Sequence, residues 1–244
     1  MKTEILYGVH PVFEALRAAR RRFHEIFICR GRSFRRLEGI TASAKSKSVP
    51  VRELTPDRMT SLAGSEFHQG VAARVDPYPS AELESVLTRT DPFLLMLDSV
   101  VDPNNLGALV RTALCAGVDG VILPRDRSAS PLPSVSKASA GALEHTALVR
   151  ITNLARTIEI IKQHGFWIAG LDRAAEKPVF ESDLKGPLAV IIGGEEKGIR
   201  PLVKQHCDFL VRIPQVGPLD SLNASAAGAV VMYEAFRQRR STSA

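Results

Sequence analysis

The run FLLMLDSVVDPNNLGALVRTALCAGVDGVILP, residues 93–124, decides the fold. Its five opening residues, Phe93 to Leu97, are all apolar, and a turn built from Asp102, Pro103 and Asn104 follows within a few positions. The next stretch predicts a helix from about Asn105 to Ala116, and GVILP at 120–124 closes the run as a second short apolar segment. Strand, helix, strand is a crossover unit, which joins parallel strands. The same alternation continues: a helix is expected near 152–163, then FWIAGL, LAVIIGG and FLVRIP as strands, then a last helix. Apolar runs without a polar alternation belong to a sheet covered on both faces, so the fold class is α/β with a mostly parallel sheet. Ligands in such sheets sit beyond the carboxyl ends of the strands, which singles out the loops after Leu97, Ile192 and Ile213.

Upstream, GVHPVFEALRAAR at 8–20 has helical spacing and FHEIFIC at 23–29 alternates like a strand. A helix over 33–47, a strand over 49–53, a short helix from Pro56 and a strand over 70–75 complete a small α/β unit. Proline and polar residues crowd 76–92, so the expected organisation is a domain at 1–76, a linker at 77–92 and a second domain at 93–244. Charge divides the same way. Through Asp76 there are 14 Lys and Arg against 8 Asp and Glu, and the remainder holds 18 of each, so the formal net charge of +6 belongs entirely to the first third. Arg17, Arg20, Arg21, Arg22, Arg30, Arg32, Arg35 and Arg36 form a cluster dense enough to follow a phosphate backbone, although an arginine run is also an ordinary solvated helix end. Cys29, Cys115 and Cys207 are scattered without metal-ligand spacing, so no metal site and no disulfide framework is expected. The apolar runs are too short to cross a bilayer and the opening MKTEILYGVHPVFEAL lacks a charged-then-apolar layout, from which a cytoplasmic location is expected.

Each of the three loops has a plain and a functional reading. In the first, Asn105 either caps the helix or points into a site that Arg111, at most about two turns on, also lines. The second, VIIGGEEKGIRP, is an ordinary strand-to-helix turn or a place where Gly193 and Gly194 let a ligand approach beside Glu195; it matches neither GxGxxG nor a Walker sequence. In the third, Ser221, Leu222 and Asn223 open a helix whose first turns, Ala224 to Ala229, are thin enough for another backbone to cross.

In this order the three loops resemble the SpoU/TrmH family of RNA 2′-O-methyltransferases. The motifs are NLGALVR at 105–111, GGEEKG at 193–198, and IP at 213–214 through SLNASAA at 221–227. PRDRSA at 124–129 and KASAGALEH at 137–145 are similar to the ribosomal RNA subgroup. YGVHPVFEAL at 7–16 and FHQGVAARV at 67–75 resemble that subgroup's small RNA-binding domain. The resemblance implies a C-terminal α/β knot of deep trefoil type, preceded by an L30e-like domain. It implies S-adenosyl-L-methionine as cofactor, held at Gly193, Ile213 and Leu222 with Gly194 and Gly217 close by. Arg111 is the residue it implicates in activating the ribose hydroxyl, with Asn105, Glu195 and Asn223 shaping the site. A homodimer through the catalytic domain is implied, with ribosomal RNA as partner and a guanosine of 23S rRNA as target. Methylation of transfer RNA, an adenosine target, and a non-catalytic RNA-binding or ribosome-assembly role stay open as alternatives.

Overall fold

A computed structural model describes residues 2–31, 35–218 and 221–240, without the side chain of Arg35. It divides into two compact units, one running to Pro79 and including Pro131–His145, the other made of Ser80–Ser130 and the chain from Thr146 on.

The first unit begins β1 (Glu4–Tyr7), α1 (Val9–Ala18), β2 (Phe23–Cys29), α2 (Arg35–Ser46), β3 (Val51–Leu54), α3 (Pro56–Ala63), β4 (Val71–Val75). Its sheet has the order β1-β4-β2-β3, with β2 and β3 parallel and the other pairs antiparallel. The two-residue period of the strands makes two small cores. Ile26 and Ala73 lie opposite each other on one face and join Val12, Leu16 and Ile40 of the helices. Phe27 and Ala72, one residue on, face the other way toward Met59 of α3. Helix α1 stops where Ala19 turns left-handed, φ 53°, and returns its N–H to the Ala15 carbonyl.

The second unit contains α4 (Glu84–Leu87), β5 (Phe93–Asp98), α5 (Pro103–Cys115) and β6 (Gly120–Pro124). Helix α5 begins two residues earlier than its apolar pattern announces, because Asp102 accepts the Asn104 N–H at 3.0 Å and Pro103 occupies the first helical position. Asp102 is therefore the cap, which frees Asn105 from that role.

After β6 the chain passes into the first unit, forms α6 (Pro133–Ala138) and a 3-10 turn (Ala142–His145), and returns at β7 (Leu148–Ile151). This excursion was not legible in the sequence, whose only visible boundary is the proline-rich stretch near 77–92. It is held by a buried charge network: Arg21 pairs with Glu4 at 3.0 Å and with Glu144 at 2.8 Å, and Ser136 donates to Glu144 at 2.7 Å. Burial pushes the Glu144 carboxyl upward, against the opposing pull of the Arg21 charge and the Ser136 hydroxyl.

The second unit then continues through α7 (Leu154–Gln163), β8 (Trp167–Leu171), β9 (Leu188–Gly193), α8 (Pro201–Gln205), β10 (Phe209–Val211) and α9 (Ala224–Arg240). Its six strands run in the order β10-β8-β9-β5-β6-β7, and every pair is parallel. Strand β5, central and buried at all six residues, is the uninterrupted apolar run from which the fold was read. The thin start of α9 is explained by a helix crossing, since a Cβ on Gly228 would collide with Leu109 of α5.

Candidate active site

The carboxyl ends of β5 and β9 and the segment before α9 bring three distant side chains together. Asn223 donates its side-chain N–H to Asn105 Oδ1 at 3.0 Å across 118 residues of sequence, and Asn105 donates to Glu195 Oε1 across 90. The far end of Asn223 is fixed as well: its Oδ1 accepts the Ser225 N–H at 2.9 Å and the Ser225 hydroxyl at 2.6 Å at the start of α9. The result is a directed chain of amides ending on a carboxylate that remains open to solvent. A chain of this kind orients Glu195 without neutralising it.

The frame beneath is rigid. Asp98, fully buried at the end of β5, accepts the Arg200 backbone N–H at 2.8 Å and its Nε at 2.7 Å, while Gly194 donates to the Asp98 carbonyl at 2.8 Å. A Cβ on Gly193 would strike the backbone of Gly198 and Ile199, and one on Gly194 would strike the Ser99 carbonyl. These glycines are required by the chain's own turn, the plainer of the two readings that the sequence left open.

That turn forms one wall of a cavity of about 460 Å³, within the range of small-molecule sites. Gly193, Gly194, Glu195, Ile213 and Leu222 line it, as the sequence motifs led one to expect; Gly217 is exposed and does not. The sequence reading missed Leu171 to Ala174, the end of β8 and the loop after it. Its signal was available, because FWIAGLD is another strand ending in an acidic residue at the same edge of the sheet. Burial pushes the Asp172 carboxyl up, but an ion pair with Lys204 and the Ala174 N–H outweigh it and hold the group below its ordinary value.

Arg111 stands apart from this cluster. It is exposed, has no ion pair among the described residues, and does not line the cavity of its own chain. Six residues of helix put it about 9 Å along α5 from Asn105 and about a third of a turn around it. Among the described residues no contact brings Arg111 to Asn105, and neither residue lines the cavity.

Of the basic residues, Arg17, Arg20, Arg22, Arg30 and Arg36 are exposed on the first unit. Arg20 lies over the Tyr78 ring, 5.5 Å from its centroid, and Arg17 pairs loosely with Glu14 at 3.4 Å. Arg21 is a correction: it is 5 % exposed and its guanidinium is committed to Glu4 and Glu144, so it is not part of a phosphate-facing surface. Arg32 and the side chain of Arg35 lie outside the described residues.

With this geometry in hand, comparison with known proteins is decisive. Residues 92–233 match the model of the SpoU rRNA Methylase family. The chain belongs to that family. Residues 5–81 match the model described as RNA 2′-O ribose methyltransferase substrate binding. Among curated relatives, the 23S rRNA (guanosine-2′-O-)-methyltransferase RlmB of Pseudomonas putida is 44 % identical over 242 residues, covering 97 % of each chain. Among solved structures, an RNA 2′-O ribose methyltransferase aligns with a TM-score of 0.85 at 25 % identity, covering 97 % of this chain and 88 % of that one. The SpoU methyltransferase AviRb from Streptomyces viridochromogenes, in complex with the cofactor AdoMet, shares the fold with a TM-score of 0.84 at 24 % identity, over 98 % and 91 % of the two chains. Among the described residues of this SpoU chain there is no group of three metal-ligating side chains and no helix long and apolar enough to cross a membrane.

Proposed function

We propose that this SpoU chain transfers the methyl group of S-adenosyl-L-methionine to the 2′-hydroxyl of a guanosine in 23S rRNA, acting in the cytoplasm as a homodimer. The observation that carries the reading is the convergence of Asn105, Glu195 and Asn223 beside a cavity in a chain 44 % identical to a curated 23S rRNA (guanosine-2′-O-)-methyltransferase. The residues present fit the cofactor: Ile192, Ile213, Leu222 and Leu171 offer apolar walls for a flat adenine, and backbone at Gly193 and Gly194 lies at the surface of the cavity. Bound there, the cofactor supplies an electrophilic methyl carbon on a sulfonium.

What the chain's residues must do is hold a ribose oxygen in line with that carbon and accommodate the proton it loses. Arg111 does not serve as the base, because a guanidinium stays protonated in proteins. Its role is to stabilise negative charge developing on the ribose oxygen or to grip the adjacent phosphate, with the proton passing to phosphate or water. Asn105 and Asn223 hold Glu195, and the three shape the pocket around the nucleotide. Because Arg111 stands away from its own chain's cavity, a second copy is needed to complete the site. Leu114 and Tyr233, 38 % and 48 % exposed on α5 and α9, offer apolar surface for that copy. The close approaches at Gly194 and Gly228 support a threaded, knotted C-terminal segment. The first unit, with its exposed arginines, holds the RNA.

Arg111→Lys keeps the charge and loses the planar fork. Single-turnover methylation of unmodified 23S rRNA by that variant is expected to fall by about 100-fold; near-normal turnover sinks the role given to Arg111. Mass spectrometry of the product identifies the nucleotide. Deleting the first 76 residues is a poor test of RNA binding, because Val135 and Leu143 of the excursion are fully buried in the unit that the deletion removes.

A further inference from the structure

Resting on that reading, we propose that Arg125 and Arg127, in the turn after β6, form a phosphate-binding site that grips the RNA strand beside the reacting nucleotide. The turn is PRDRSA, a motif to which neither the cavity nor the amide chain gives a role. Strand β6 is the parallel neighbour of β5, so this turn rises from the same edge of the sheet as the loop leading to Asn105, about 5 Å across. The two loops are tied together, with the Ala129 N–H donating to the Val100 carbonyl at 2.9 Å.

The turn is held firmly. Arg125 donates its N–H to Ile151 at 2.7 Å and accepts at its carbonyl from Arg150 Nη2 at 2.9 Å. Arg127 adopts a left-handed backbone, φ 57°, which a residue with a Cβ takes only when its surroundings impose it. Its two arginine side chains are nevertheless uncommitted. Arg89, Arg200, Arg237 and Arg239 of the same unit each have a carboxylate partner, whereas Arg125 and Arg127 are exposed and have none among the described residues. Ser128 Oγ in the same turn and Arg150 Nε on the neighbouring β7 are buried without a hydrogen-bond partner among the described residues. Two exposed guanidinium groups without carboxylate partners, on a fixed turn beside the site, are the chemistry of a phosphate-binding surface. In an RNA substrate the group that fills it is a backbone phosphate, which positions the strand and reads no base.

The test is the salt dependence of binding to unmodified 23S rRNA. Each phosphate contact contributes about 0.7 to the slope of log affinity against log salt for single strands, so the double variant Arg125→Ala/Arg127→Asn, which empties the one phosphate site, is expected to lower the slope by about 0.7. Asn is chosen at 127 because it tolerates a left-handed backbone. Thermal unfolding and calorimetric binding of S-adenosyl-L-methionine are expected to match wild type. Lys185→Ala removes one charge before the opposite, amino end of β9 and is expected to leave the slope unchanged. A double variant with the wild-type slope, or a Lys185→Ala slope that falls as far as the double variant's, overturns the site. Wild-type protein that binds this RNA without salt dependence overturns the RNA reading as well, and so separates the two failures.

Discussion

Both units contain a polar network assembled from segments far apart in sequence, and they differ in accessibility: the first is largely buried, the second open to solvent. In the first unit Arg21, Glu4, Glu144 and Ser136 meet with the arginine side chain fully buried. In the second Asn223, Asn105 and Glu195 meet at an open rim. A buried charge network is satisfied internally and fixes which segments pack together; an exposed one is left with capacity to spend on a ligand. Charge and hydrogen bonding alone do not separate structural from functional polar groups, and accessibility does.

That contrast can be broken by substitution, and the buried side gives the largest effect. Arg21→Ala strands the Glu144 carboxylate and is expected to cost about 3–5 kcal/mol, read as a lowered midpoint in chemical unfolding; a change under about 0.5 kcal/mol means the network does not hold the 131–145 excursion in place. At the open network the signature reverses. Asn105→Ala is expected to leave the unfolding midpoint nearly unchanged and to reduce single-turnover methylation by about 100-fold, because Glu195 and Asn223 lose the group that aligns them. A variant that unfolds early and turns over normally erases the distinction. The smallest effect sharpens it at an intermediate case, the partly buried Asp172–Lys204 pair at the cavity wall. Asp172 is held below its ordinary value of 3.8, so its contribution is full above about pH 4 and is lost as pH falls through the lowered value. Lys204→Met is therefore expected to be less stable than wild type by about 0.5 kcal/mol at pH 7, with the gap closing in strong acid. Urea unfolding under the two conditions reads it, and a gap that widens in acid contradicts the assignment.

Much of the catalytic unit was legible because its strands are buried on both faces. Phe93 to Leu97 and Leu188 to Ile192 are apolar without interruption, a pattern with few other meanings at that length and with those turns. The motif residues Gly193, Ile213 and Leu222 were likewise assigned to one pocket from the family resemblance, and all three line the cavity. Gly217 was assigned there too and is exposed, because nothing in a turn's sequence tells which of its residues faces inward. The loop after β8 was passed over for the converse reason: its strand was recognised, but its place between β10 and β9 depends on the order of strands, which no local pattern encodes.

Local physics in the sequence determined the elements, the parallel sheet and the concentration of positive charge in the first third, and the motifs added a resemblance to the family. Tertiary structure alone decided that Arg21 is buried while Arg125 and Arg127 are free, that 131–145 packs with the first unit, and that Asn105, Glu195 and Asn223 touch. The reason is range: a strand or helix is written in contacts a few residues apart, whereas the partner of a charged or amide side chain here lies up to 148 residues away, and only the folded chain brings it within reach.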